Sequence, residues 1–200
     1  MRRLPATSLL QTMLPLLIVG LLATSCAMYG PPHNIKMAVS ASFDKYRLRR
    51  VCILPFASDP ASQQLPVAAI LAESLQKLQG LKIIVCPQYG QGRTGEALSK
   101  SIPLSAAFLL HLSQSSQADG VIRGEIVCYS LLPLSIGITF DLISTYDGTV
   151  LWSVNGTWGD DQFYSLRELT PTEAQQNLSP TLLVTRGCDA IVAMLADRNK

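Results

Sequence analysis

Few side chains in this sequence stand at the spacings that chemistry requires. Gly90-Gln91-Gly92-Arg93-Thr94-Gly95 matches the G-x-G-x-x-G pattern whose backbone amides cradle a pyrophosphate. In a dinucleotide fold those glycines form the tight turn straight after the first strand, with the pyrophosphate at a helix N-terminus. Here they follow the second predicted strand, with Pro87 and Tyr89 between, so the run reads as a flexible polar loop. Of the two histidines, His33 precedes the predicted folded region and His111 flanks an apolar helical stripe, where packing is its ordinary role. No G-x-S-x-G elbow supplies a nucleophilic serine. Asp160-Asp161 sets two carboxylates side by side, but adjacent loop carboxylates solvate the loop rather than divide acid and base roles. Cys52, Cys86, Cys128 and Cys188 have neither C-x-x-C nor zinc-site spacing. The pattern points to no enzyme, no cofactor and no metal.

Cys26 has chemistry of another kind. Arg2 and Arg3 make a positive n-region, and Met13 to Leu22 an apolar h-region of secretory length. Gln11, Thr12 and Pro15 interrupt the run, which is shorter than the ~20 apolar residues of a membrane span. Leu21-Leu22-Ala23-Thr24-Ser25-Cys26 resembles the lipobox of bacterial lipoproteins, with Ala23 where leucine is usual. The resemblance implies cleavage before Cys26 and diacylglyceryl transfer to its sulfur. Each buried acyl methylene then contributes about 0.8 kcal/mol of membrane affinity. Ala27, rather than aspartate, follows the lipidated cysteine, which implies the periplasmic face of the outer membrane.

The rest of the chain is expected to form one globular domain. Without Arg2 and Arg3 the basic and acidic residues balance at 14 each, so no global charge favours nucleic acid. A basic cluster of Lys45, Arg47, Arg49 and Arg50 is the local exception and reads as a solvated edge or a contact for lipid or partner. In an oxidising compartment the four remaining cysteines allow three pairings, and the spacing selects none.

The elements follow from periodicity. Residues 26–46 read as a lipidated tether, since Gly30-Pro31-Pro32 blocks regular structure, and residues 47–200 as the domain. Val51 to Leu54 is a strand buried on both faces, closed by Pro55. Ala68, Leu71, Leu75 and Leu78 recur at helical spacing between Pro66 and Gly80. Leu81 to Cys86 is a second strand, and Ser101 to Gln117 a second helix. Ile122, Gly124, Ile126 and Cys128 alternate with Arg123 and Glu125, and Ile136 to Leu142 alternate likewise. Asp147-Gly148 turns the chain into Val150, Trp152 and Val154, and Ser179-Pro180 opens a last helix. The order β-α-β-α-β-β-β-α predicts an α/β fold, an α+β mixed sheet with helices packed on its apolar side.

Two segments look suited to a partner. Leu131-Leu132-Pro133-Leu134 is an apolar turn where polar residues are usual, and reads either as a contact surface or as a fold over the core. The long connection from Gly159 to Asn177 carries Phe163 and Tyr164.

These residues resemble the CsgG/LpoB-like family of periplasmic lipoproteins. Val51 to Phe56 looks like its opening hydrophobic strand and proline, Ala118 to Ile126 like its V-x-G-x-I strand, and Phe140 to Trp152 like its D-G-x-v-l-W hairpin. The resemblance implies a compact domain like the N-terminal domain of TolB, used for protein contacts in envelope assembly. It transfers no catalytic residue. The chain has no spare hairpins of the length a CsgG pore needs, and its tether is shorter than that of LpoB-type synthase activators. The expected role is that of an outer-membrane-anchored, non-catalytic module that binds an envelope protein or itself. The alternative is a secretion or transport component that binds lipid or a small apolar ligand.

Overall fold

The computed structural model describes residues 34–59, 62–78, 80–89, 103–159 and 179–198. Strands β1 (Asn34–Val39), β2 (Arg50–Ile53), β3 (Lys82–Val85), β4 (Gly120–Leu131), β5 (Leu134–Ser144) and β6 (Val150–Gly159) form one mixed sheet in the order β1-β6-β5-β4-β2-β3. Helices α1 (Val67–Gln76), α2 (Ala106–Ser116) and α3 (Pro180–Arg198) complete the α/β domain. β2 runs parallel to β3 and β4, and every other pairing is antiparallel.

The β2-α1-β3-α2-β4 stretch explains why the helices lie on both faces rather than one, as expected from sequence. The chain steps outward from β2 to β3, then back across β2 to β4. Crossovers of one hand, taken in opposite directions, put their helices on opposite faces. α1 and α3 cover the face built by Val51, Ile53, Ile122, Phe140, Leu142 and Trp152. α2 covers the other with Leu109 and Leu112, against Cys52, Leu54, Val121 and Ile143. Successive residues of β2 therefore enter different cores, as its unbroken apolarity requires.

Local signals set the helix ends. Ser105 Oγ accepts the Phe108 N–H at 3.2 Å, and Ser179 Oγ accepts the Leu182 N–H at 3.2 Å. Gly80 leaves α1 at φ +85°, a conformation glycine adopts without a Cβ penalty. At Gly124 the reason for glycine is proximity: a Cβ there would lie within van der Waals overlap of Phe56 and of Phe140. Phe56 crosses that bare backbone to meet Phe140 edge-on at 6.2 Å.

Two corrections concern strands. Residues 34–46 belong to the fold and not to a tether: β1 pairs with β6, and a 3-10 turn follows at Phe43–Tyr46. Ile35, Met37 and Val39 pack inward while Asn34, Lys36 and Ala38 face out. A six-residue edge strand whose outward row includes alanine gives a faint period. Its partner also lies more than a hundred residues away, so local sequence carries little of the signal. The second correction is at Val127, an extra residue that shifts the β4–β5 register between Ile126 and Cys128. Cys128 consequently leaves the face of Ile122 and Ile126 and is exposed.

Candidate functional site

The strand directions give the sheet two ends. β4 and β6 start, and β5 finishes, at one end, beside residues 40–49 and the 145–149 turn. The β4–β5 hairpin closes at the other, where Leu131 pairs with Leu134. Leu132 is 93% exposed and Leu131 62%, with Pro133 exposed and the Leu132–Pro133 bond cis. Leu134 is only 8% exposed and belongs to the main core, which corrects its expected place on a contact surface. With a period of 2, Leu134 shares the inward row of Ile136, Ile138 and Phe140. Phe163, Tyr164, Cys26, His33, the Gly90–Gly95 run and Asp160-Asp161 lie outside the described residues.

At the opposite end Tyr146 is 93% exposed. Its turn is pinned by Asp147, which accepts the Tyr46 hydroxyl at 2.6 Å and the Thr149 N–H at 3.1 Å. These bonds, Tyr46's first, hold the Asp147 carboxyl down at about 2. Beside it, Ser42, Lys45, Ser113, Asp119 and Thr145 line a polar cleft of about 670 Å³. Asp119 also accepts the Arg49 and Arg50 backbone N–H groups, each at 3.0 Å. The Arg50 guanidinium donates to Gln117 Oε1 at 2.6 Å and to the Ser116 carbonyl at 3.3 Å, a cation at the C-terminus of α2. Arg50 therefore serves the fold, whereas Lys45, Arg47 and Arg49 remain exposed.

A second cleft of about 550 Å³ opens at this same end under the apolar face. Val51, Ile122, Leu142 and Trp152 floor it, Leu75, Leu78 and Leu195 wall it, and Phe43 and Leu48 close over it, with Asp44 and Arg47 alongside. Leu131 to Leu134 line neither cleft. Sequence reasoning missed both clefts, because the apolar one is walled by β2, α1, β4, β5, β6 and α3 together and the polar one by residues 42–46, α2, Asp119 and the 144–147 turn.

Elsewhere the second face of the sheet carries a polar strip. Arg123 lies opposite Asp141, whose Oδ1 accepts the Ser153 hydroxyl at 2.6 Å. Burial lowers the Arg123 pKa, against the pull of Asp141 and Glu125. His111 is exposed on α2, edge-on to Tyr89 at 6.2 Å. Cys52 and Cys86 form a disulfide with Cα atoms 6.2 Å apart, which settles one of the open pairings. Cys128 and Cys188 are free thiols. Among the described residues no group of three or more His, Cys, Asp or Glu is arranged to hold a metal ion, and no helix is long and apolar enough to cross a membrane.

Fold and surface define a mixed α/β domain with an apolar tip at one end and an aromatic, polar-rimmed surface at the other. No protein-family model and no curated protein matches the chain. Among solved structures, the PelC dodecamer from Paraburkholderia phytofirmans is similar at 16% identity, covering 78% of this chain and 95% of that one with a TM-score of 0.47. Lipoprotein GNA1162 from Neisseria meningitidis is similar at 16% identity, covering 74% and 96% with a TM-score of 0.47. The hypothetical protein CT253 from Chlamydia trachomatis is similar at 16% identity, covering 73% and 94% with a TM-score of 0.43. One of these structural neighbours is thus a bacterial lipoprotein.

Proposed function

We propose that this chain is a lipoprotein of the CsgG/LpoB-like kind, anchored through Cys26 at the periplasmic face of the outer membrane. It acts without catalysis, by binding another envelope protein or a second copy of itself. The observation that carries partner binding is Tyr146, 93% exposed at the end of the sheet opposite Asn34, where the chain arrives from Cys26. Tyrosine supplies a broad amphipathic contact at small entropic cost and is enriched where interfaces are strongest. Lys45, Arg47 and Arg49 stand at that end together with Asp44, Asp119 and Asp147, so the surface offers charges of both signs around Tyr146.

The test is photo-crosslinking in cells from position 146, with Cys26 retained or replaced by serine. One specific protein adduct that disappears with Cys26→Ser is the expected result. No adduct from position 146 in the lipidated chain would overturn the reading.

The apolar cleft favours a second reading, the carriage of a small apolar ligand. Trp152 in its floor is a built-in reporter, and titration with fatty acids of increasing chain length should change its emission. Emission unchanged throughout the series would dispose of this reading.

A further inference from the structure

We propose that the β4–β5 hairpin tip dips into the same bilayer that holds Cys26, placing Leu131, Leu132 and Pro133 at the boundary between headgroups and acyl chains. The inference rests on the lipidation of Cys26 and adds a second, non-covalent membrane contact to it.

Sheet geometry supplies the first argument. β1 begins at Asn34, which lies opposite Thr157, itself opposite Gly137, which faces Cys128. The tip is three residues further along each strand, at Leu131 and Leu134. At ~3.3 Å per residue it projects about 10 Å beyond the point where the chain enters the sheet. That projection matches the roughly 5–10 Å to which apolar groups sink at a membrane interface.

The second argument is chain length. Only seven residues, Ala27 to His33, separate Cys26 from Asn34. Fully extended they span at most about 28 Å. An acylated Cys26 thus keeps Asn34, and with it the hairpin end of the sheet, within about 28 Å of the bilayer. Among the described residues the tip reaches furthest along the strands at that end.

Composition supplies the third. No charged residue occurs between Glu125 and Asp141. About 20 Å of hairpin measured back from the tip therefore carries no formal charge that would resist entry. Val127, thrown outward by the bulge and 51% exposed, extends the apolar surface behind the two leucines. A protein partner at the tip would also bury these side chains, but the short covalent reach from Cys26 to Asn34 favours lipid as the occupant. The basic residues Lys45, Arg47 and Arg49 stand at the far end, away from the headgroups.

The test uses the full lipidated chain reconstituted in phosphatidylethanolamine–phosphatidylglycerol vesicles carrying brominated acyl chains, which quench nearby indoles. Leu132→Trp is compared with Tyr146→Trp at the opposite end, each against the background of the two native tryptophans. The expected result is loss of emission and a blue shift for Leu132→Trp and neither for Tyr146→Trp. Equal emission from both variants, with or without brominated lipid, would overturn the proposal, as would a protein crosslink from position 132 without quenching. The N-terminal peptide mass of the same preparation keeps the two ideas apart. An acylated Cys26 with an unquenched Leu132→Trp defeats the tip alone, whereas an unmodified N-terminus defeats the anchor on which it rests.

Discussion

Trp158 lies between two glycines, and replacing one of them should change stability with a sign that depends on the tryptophan. The indole is 1% exposed, with Gly156 of β6 on one side and Gly187 of α3 on the other. A Cβ on Gly187 would stand 2.7, 2.9 and 3.0 Å from three atoms of the ring, closer than packed carbons approach. The ring cannot back away, because its far side already meets the bare backbone of Gly156. Gly187→Ala therefore sets two effects against each other. Alanine in a helix interior is worth about 1 kcal/mol over glycine, while overpacking a filled core costs about 1–3 kcal/mol. The net expectation is a loss of about 1 kcal/mol, or roughly 3 °C in Tm for a domain of this size.

In a Trp158→Leu background the obstruction is gone, and Gly187→Ala should instead stabilise by about 1 kcal/mol. The coupling between the two sites is then about 2 kcal/mol, within the range of residues in direct contact. Urea unfolding of the four chains, followed by far-UV circular dichroism, measures it without relying on tryptophan emission. If Gly187→Ala stabilises the native background, or acts identically in both, the packing argument is wrong.

Three further outcomes are expected. The Cys52–Cys86 disulfide joins residues 34 apart in sequence, so replacing both by alanine should cost about 4 kcal/mol from loop entropy, visible by calorimetry as a Tm lower by roughly 10 °C. An unchanged midpoint would mean that the bond does not form. Cys128 is exposed, whereas burial pushes the Cys188 thiol up to about 12. Iodoacetamide on the native Cys26→Ser chain should therefore modify Cys128 alone by peptide mapping, and labelling at Cys188 would refute its burial. Asp147 should titrate in NMR at about 2, against an ordinary carboxyl value near ~3.9, and Tyr46→Phe should raise it. Because the folded value is depressed, this contribution to stability is complete above about pH 4 and disappears as pH falls through about 2. A wild-type midpoint that Tyr46→Phe leaves in place would refute the hydrogen bond's role.

The long elements were legible because their period repeats over many residues. Ile136, Ile138, Phe140 and Leu142 alternate inward as expected, and the apolar stripe of α1 between Pro66 and Gly80 has its turn and its stop in place. β1 was not legible, since three inward side chains on an edge strand are a weak local signal and their pairing with β6 is non-local. The exit of Cys128 from the inward row needed the bulge at Val127, which a strict period of 2 cannot foresee. The apolar turn was legible as an oddity, yet its leucines divide only in three dimensions. Leu134 takes the inward row while Leu131 and Leu132 stay in solvent.

By itself, the sequence determined the α/β class and the run without charge between Glu125 and Asp141, and it carries the lipobox-like residues that end at Cys26. Those depend on residue type, order and short periods, which the chain carries locally. Tertiary structure alone decided that Cys52 meets Cys86, that helices cover both faces, and that Tyr146 and Leu132 stand at opposite ends of one sheet. Each of these depends on strand register and crossover direction. Register is chosen by the burial of whole faces at once, so no single segment encodes it.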